Sequence, residues 1–257
     1  MIGLYGKTHF ELDEFIDLTE FDNIQLDIFR GIAIAKSLAD HGYLISMKMY
    51  NDEDLSSTLS VLPLMDAYRD FLSLPENNDV KIIGDKIYRE HGYNALATFL
   101  KYTYKAHDLC SHYLFWDYHP NWRLNKHNRQ LTKLSEHFSP LINYIDSLIR
   151  KEIFINIGRA YLISFDSKGH SFEHRDPHLD PDVSEDVFPE FIHIRPNTKR
   201  PFYIFDHEKN KKHYVMSRIG WWNDRDIHGG EAISEPTYAI RIDGIFTDKF
   251  KKQLCIL

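Results

Sequence analysis

Up to about residue 150 the apolar residues recur mostly at helical spacing, and beyond it they mostly alternate. This change predicts an α+β chain forming a single domain over 1–257, with a mainly helical buttress (1–150) packed against a jelly-roll core (151–257). Asp22 or Asn23 is placed to cap a helix running through Ile24, Ile28, Ile32 and Ala35 to Leu38, with Gly42 at its stop. Further helical patterns cover Leu55 to Leu72 and Asn94 to Phe115. Ser139-Pro140 then reads as the N-cap and first residue of a short helix striped by Leu141, Tyr144, Ile145 and Leu148. From Ile153 onward β-branched and aromatic residues predict strands at 153–165, 171–174, 191–195, 202–206, 214–222 (which can divide in two) and 238–246. Six to eight short strands with no room for helical crossovers favour a sandwich or jelly roll over a parallel sheet.

Composition narrows the function classes. Two cysteines far apart in 257 residues support neither a disulfide framework nor a cysteine zinc site, so a reducing, cytoplasmic setting is expected. No apolar run approaches membrane-spanning length, which leaves the membrane out of the expected partners. A formal charge of −7 disfavours a nucleic-acid partner, and the short basic groups at Lys199-Arg200 and Lys209 to Lys212 do not reverse it. Oligomeric state is not legible. Fifteen histidines raise the prospect of a metal or acid–base site.

The segment Phe172-Glu-His-Arg-Asp-Pro177 carries the chemistry of most interest. On a strand His174 and Asp176 share a face, a second imidazole stands far downstream at His228, and a later strand can supply a third ligand. Two imidazoles and one carboxylate leave three positions open on an octahedral ion, the arrangement of mononuclear non-haem Fe(II). Chance alone gives about two His-x-acid matches in a chain of this composition. Besides His174-x-Asp176, the chain holds His9-x-Glu11 in an N-terminal segment without a strand-turn frame and His178-x-Asp180 in a Pro- and Asp-rich stretch. Arg241 sits in the apolar strand Tyr238-Ala-Ile-Arg-Ile-Asp243, where a guanidinium is costly to bury unless it meets an anion. That anion is either a ligand carboxylate or an internal partner such as Asp243.

With Phe138-Ser-Pro-Leu-Ile-Asn-Tyr-Ile145, Gly158-Arg-Ala-Tyr-Leu-Ile-Ser-Phe165, Gly169-His-Ser-Phe-Glu-His-Arg-Asp176, Asn223-Asp-Arg-Asp-Ile-His-Gly-Gly230 and Tyr238 to Asp243, the C-terminal half resembles the Fe(II)/2-oxoglutarate-dependent oxygenase superfamily, in its prolyl- and aspartyl-hydroxylase-like members. The resemblance implies a double-stranded β-helix of the jelly-roll, cupin-like kind. It implies His174, Asp176 and His228 as ligands of Fe(II), with 2-oxoglutarate as cosubstrate and O2 as oxidant. It matches Arg241 to the basic residue that binds the distal carboxylate of 2-oxoglutarate. Many relatives carry Ser or Thr two positions later, where this chain has Asp243, so Tyr203 is the expected assistant and Arg195 a further cosubstrate contact. An intact Asp176 implies hydroxylation rather than halogenation.

The expected activity is therefore that of a dioxygenase hydroxylating an unactivated C–H of a small amino-acid-like molecule, with release of succinate and CO2. The acidic stretch containing Asp180 is either a cover that attracts a cationic amine or a solvated loop, and Trp222 is either a pocket wall or core. The alternatives are a hydroxylase of a peptide or protein side chain, and a non-catalytic cupin-like metal-binding or interaction module.

Overall fold

The computed structural model describes residues 1–38, 82–84, 86–87, 89–90, 111–114, 131, 133–165, 171–174 and 190–257, with 36–38, 111–114, 133–134 and 171–174 as backbone. Its described elements run β1 (His9–Glu11), α1 (Thr19–Asn23), α2 (Gln25–Leu38), β2 (Ser111–Leu114), a 3-10 turn (Lys133–Phe138), α3 (Ser139–Arg150), β3 (Phe154–Phe165), β4 (Ser171–His174), β5 (Phe191–Ile194), β6 (Phe202–Asp206), β7 (Lys211–Tyr214), β8 (Ile219–Trp222), β9 (His228–Gly230), β10 (Thr237–Phe246) and α4 (Asp248–Gln253). No helix of the described residues is long and apolar enough to cross a membrane.

The strands form two antiparallel sheets, one ordered β1-β8-β5-β10-β3-β2 and the other β4-β9-β6-β7. From β3 onward the chain passes back and forth between them: β3, β5, β8 and β10 lie in the first, and β4, β6, β7 and β9 in the second. This alternation is the jelly-roll core expected from the run of short strands.

On the first sheet, alternation separates two faces. One carries Tyr238, Ile240 and Ile242 of β10 beside Leu162 and Ala160 of β3 and Ile192 and Ile194 of β5. The rings of Phe21 and Phe29, from α1 and α2, contact Tyr238, so the helices cover this apolar face. Helix α3 contributes Leu141, Ile142, Tyr144, Ile145 and Leu148 to the same core, each such burial stabilising by about 1.5–3 kcal/mol. The other face carries Arg241 and Asp243 opposite Tyr161 and Arg159 on one side and His193 and Phe191 on the other.

The structure corrects the sequence reading at several elements. Ser111–Leu114 is not the end of a helix: it pairs with β3 from Ser111↔Ser164 to Leu114↔Tyr161, because ladder hydrogen bonds to a long central strand outweigh local helical spacing. The rest of the expected helix 94–115, the expected helix 55–72 and Gly42 lie outside the described residues. His9–Glu11 is a strand on β8 rather than a segment without a frame. The first half is thus not only helical, since it supplies both edge strands of the larger sheet. Asp22 is engaged by Arg218 rather than capping α2, and Ile24 separates α1 from α2. Phe138, not Ser139, is the N-cap of α3, and the Ser139 hydroxyl donates to Glu136 O at 3.0 Å. The region 214–222 does divide, with the first strand at Lys211–Tyr214.

Two stability outcomes follow from this packing. Gly244 sits at a register shift of β10 against β3, where a Cβ would lie 2.4 Å from Asn156 O. Gly244→Ala is expected to cost about 1–3 kcal/mol by forcing the two strands apart, read as a lowered melting temperature. His193 is buried, and burial together with Arg195, Arg241 and Arg200 holds its imidazole well below the ordinary range and therefore neutral. Its contribution is intact above about pH 6.5 and is lost as pH falls, because only the unfolded chain then takes up the proton. Thermal unfolding followed from about pH 7 to pH 5 should show a slope approaching 1.4 kcal/mol per pH unit from this residue, roughly one proton's worth, which His193→Gln removes.

Candidate functional site

The smaller sheet brings the two expected imidazole positions together. Strand β9 lies between β4 and β6, and the register sets His174 directly opposite His228 and His228 opposite Ile204. Directly opposed residues of an antiparallel pair share a face, with Cα atoms about 4.5–5.5 Å apart. Strand β9 itself, His228–Gly230, reads in the sequence only as a glycine break.

His228 is buried, and its ring is oriented by its own turn. Nδ1 lies 2.9 Å from the main-chain oxygen of Asp226. A carbonyl can only accept, so Nδ1 carries the proton and Nε2 is the basic nitrogen, the tautomer a metal ligand requires. The donor chemistry of residues 174 and 228 therefore fits a first-row divalent ion. Asp176 lies outside the described residues, as do Asp180 and the remainder of the acidic stretch. Among the described residues no group of three or more His, Cys, Asp or Glu side chains converges on one point.

A run of ring contacts leads from His228 to Arg241. Trp222 contacts the rings of His228 (centroids 5.4 Å), His193 (5.1 Å), Phe202 (4.5 Å) and Phe191 (4.8 Å). Its indole nitrogen is buried and finds no hydrogen-bond partner among the described residues. Trp221 faces the other way, against Phe10 and Phe246, so strand alternation divides the two indoles between the inner wall and the outer core. Phe191 in turn lies 3.9 Å below the guanidinium of Arg241.

Arg241 is only 3% exposed, and two carboxylates meet it. Its Nε donates to Asp243 Oδ1 at 2.8 Å and its Nη2 to Asp224 Oδ2 at 2.8 Å. Asp243, fully buried, also accepts from Arg159 Nε at 2.8 Å. The four side chains form a buried network of two cations and two anions. The internal ion pair with Asp243, one of the two partners open to Arg241 in the sequence, is formed.

Asp224 reaches this network from a turn that sequence reading did not single out. Asn223 Oδ1 accepts from Arg225 N at 3.1 Å, and Asp226 N donates to Asn223 O at 2.9 Å. An Asn two residues before a turn amide is the legible signal for such a turn.

Two other expected contacts are placed elsewhere. Tyr203 is opposite Gly229, on the face away from His228 and Ile204, where its ring meets Tyr214 and lies 4.0 Å from Lys212 Nζ. Arg195 donates through Nη1 to Arg200 O at 2.9 Å and through Nη2 to Val215 O at 2.8 Å and to Ser217 O. Burial brings its guanidinium down to about 10. Its visible work is to tie the ends of β5, β6 and β8 through main-chain carbonyls. No residue type marks this role, because carbonyl acceptors are present at every position.

No family model matches the chain, and no curated protein matches it. Similar solved structures include the viral collagen prolyl hydroxylase of Paramecium Bursaria Chlorella virus-1 in its 2OG complex, at 10% identity and TM-score 0.31 over 53% of this chain and 78% of that one. A 2OG-Fe(II) oxygenase family oxidoreductase from Burkholderia pseudomallei is similar at 12% identity and TM-score 0.36, over 54% of this chain and 68% of that one. A prolyl hydroxylase from Trichoplax adhaerens, in complex with a hypoxia inducible factor oxygen degradation domain peptide fragment, is similar at 12% identity and TM-score 0.32, over 90% and 95%. At TM-scores this low, the chain's own strand order assigns the fold and its own residues define the site.

Proposed function

We propose that this chain is an Fe(II)- and 2-oxoglutarate-dependent dioxygenase that hydroxylates an unactivated C–H bond of a small amino-acid-like substrate, with release of succinate and CO2. The observation that carries the reading is His228: a buried imidazole held as the Nδ1–H tautomer, directly across a strand ladder from a second histidine. A core histidine also needs a hydrogen bond that fixes its tautomer, but it has no need of a second histidine directly across the ladder. His228, His174 and Asp176 are the residues that would hold the ion. Bound Fe(II), with 2-oxoglutarate and O2, supplies the oxidising power that no amino-acid side chain has.

The protein's own part is orientation and exclusion of water. Phe191, Phe202 and Trp222 form a dry wall beside His228, and the buried Trp222 N–H is suited to donate to a polar ligand atom. In this reading Arg241 binds the distal carboxylate of 2-oxoglutarate, as its place in β10 implies. Because Asp224 and Asp243 already meet that guanidinium, the incoming carboxylate competes with Asp224 on the turn while Asp243 stays with Arg159. The acidic stretch around Asp180 attracts the ammonium group of the substrate.

Turnover is tested by succinate release from 2-oxoglutarate with Fe(II), ascorbate and a metabolite extract, following gain of one oxygen atom by mass. Oxygen gained by an extract metabolite supports the small-molecule substrate, and oxygen gained only by added peptides moves the substrate to a side chain. No succinate with either, and no Fe(II) binding, leaves a non-catalytic module. His228→Ala and Asp176→Gly are each expected to abolish turnover.

Arg241 separates ligand binding from a purely structural ion pair. Arg241→Lys is expected to raise KM for 2-oxoglutarate about tenfold, a loss near 1.4 kcal/mol, and Asp224→Asn to lower it by a similar factor. Unchanged KM in both variants, with melting temperature alone affected, assigns the network to stability.

A further inference from the structure

The first residues of the chain are folded back onto the turn that carries His228. Leu4 and Lys7 exchange two backbone hydrogen bonds of 2.8 Å around Tyr5-Gly6, whose φ values of 47° and 78° make a two-residue left-handed reversal. Gly3 is also left-handed, with φ 72°, and a Cβ there would lie 2.6 Å from Lys7 O. The reversal delivers two successive amides to one carboxylate: Ile2 N donates to Asp226 Oδ1 at 2.6 Å and Gly3 N to Asp226 Oδ2 at 2.7 Å. Gly3 O accepts in return from Asn223 Nδ2 at 3.2 Å. Asp226 is buried, so this pair of amides is what satisfies its charge.

The same residue fixes His228 through its main chain. The peptide that follows Asp226 offers its oxygen to His228 Nδ1 at 2.9 Å, and the next carbonyl, Ile227 O, accepts from Phe205 N of β6 at 2.7 Å. The Asp226 carbonyl is therefore held between a side-chain anchor on one side and a ladder bond on the other.

We propose that Asp226 is a positioning residue: the N-terminal clasp on its carboxylate sets the plane of its carbonyl, and that carbonyl keeps His228 in the tautomer whose Nε2 binds metal. The inference rests on His228 being a metal ligand, and it predicts that breaking the clasp from either end has one effect. Asp226→Asn replaces an acceptor oxygen with an amide that faces an N–H. Gly3→Val leaves Asp226 intact and is strained by its positive φ.

Both variants are made in the full chain and read in two ways. Long-range 1H–15N NMR of the metal-free protein, with the His228 signals assigned by their loss in His228→Gln, reports the tautomer. Cobalt(II) titration followed by visible absorption reports metal affinity. The wild type is expected to show one Nδ1–H tautomer at His228, and both variants a mixture of tautomers with Co(II) affinity lowered about 10- to 100-fold. The same tautomer and the same Co(II) affinity in Gly3→Val and wild type would overturn the proposal, whether or not Asp226→Asn folds. If His228→Gln binds Co(II) as tightly as wild type, the metal reading of the site fails, and an unchanged or mixed tautomer in Gly3→Val still decides whether the clasp orients the ring.

Discussion

The constraint that organises the molecule is a set of charges inside a β-sandwich. A face turned toward a second sheet is ordinarily apolar, because an ion removed from water costs several kcal/mol unless it is paired. Here Arg159, Arg241, Asp224 and Asp243 meet on that face at 2.8 Å spacings, and each ion has an opposite. The pairing makes the burial tolerable, and losing Arg241 or Asp243, the two inner members, breaks the network in two. The sandwich is thereby committed to keeping β3, β10 and the 223–226 turn in register, and the same commitment holds His193 and the run of ring contacts from His228 to Arg241.

Much of this was legible, for a reason that particular strands illustrate. In β10 the alternation of Ile240 and Ile242 with Arg241 and Asp243 names both faces from sequence, since period two is a backbone property that packing does not alter. The same rule parts Trp221 from Trp222. Strand β9 was not legible, because His228-Gly-Gly has no alternation and is a strand only through bonds to β4 and β6. Ser111–Leu114 was misread on similar grounds, as its partner lies some fifty residues away in β3. Of the candidate site, the burial of His228 and Arg241 is what the structure adds to residues singled out by type and surroundings. The face that Tyr203 takes was not legible, because the choice between the two faces of β6 depends on register, and one residue's slip reverses it.

The segment Asn223-Asp-Arg-Asp226 shows where composition misleads. Asn, Asp and Arg are mostly exposed in folded proteins, yet Asn223, Asp224 and Asp226 are buried. Each has its own destination: Asn223 closes the turn and holds Gly3 O, Asp224 reaches Arg241, and Asp226 receives the amides of Ile2 and Gly3. Partners this remote in sequence cannot be inferred from the turn alone, whereas its geometry makes each one necessary.

One short turn therefore serves both halves of the site. Its second residue shares a carboxylate with the guanidinium of β10, and its fourth orients the imidazole of β9 through a carbonyl. Any shift of the turn that relaxes Asp224 from Arg241 acts on the peptide plane at Asp226, two residues on, unless something holds that plane independently. The amides of Ile2 and Gly3 do so, together with the bond from Phe205 N to Ile227 O. With the far end of the turn anchored in this way, the proposed exchange of Asp224 for an incoming carboxylate leaves the orientation of His228 untouched, and the clasp from residues 2 and 3 is the part of the fold that the proposal requires to hold.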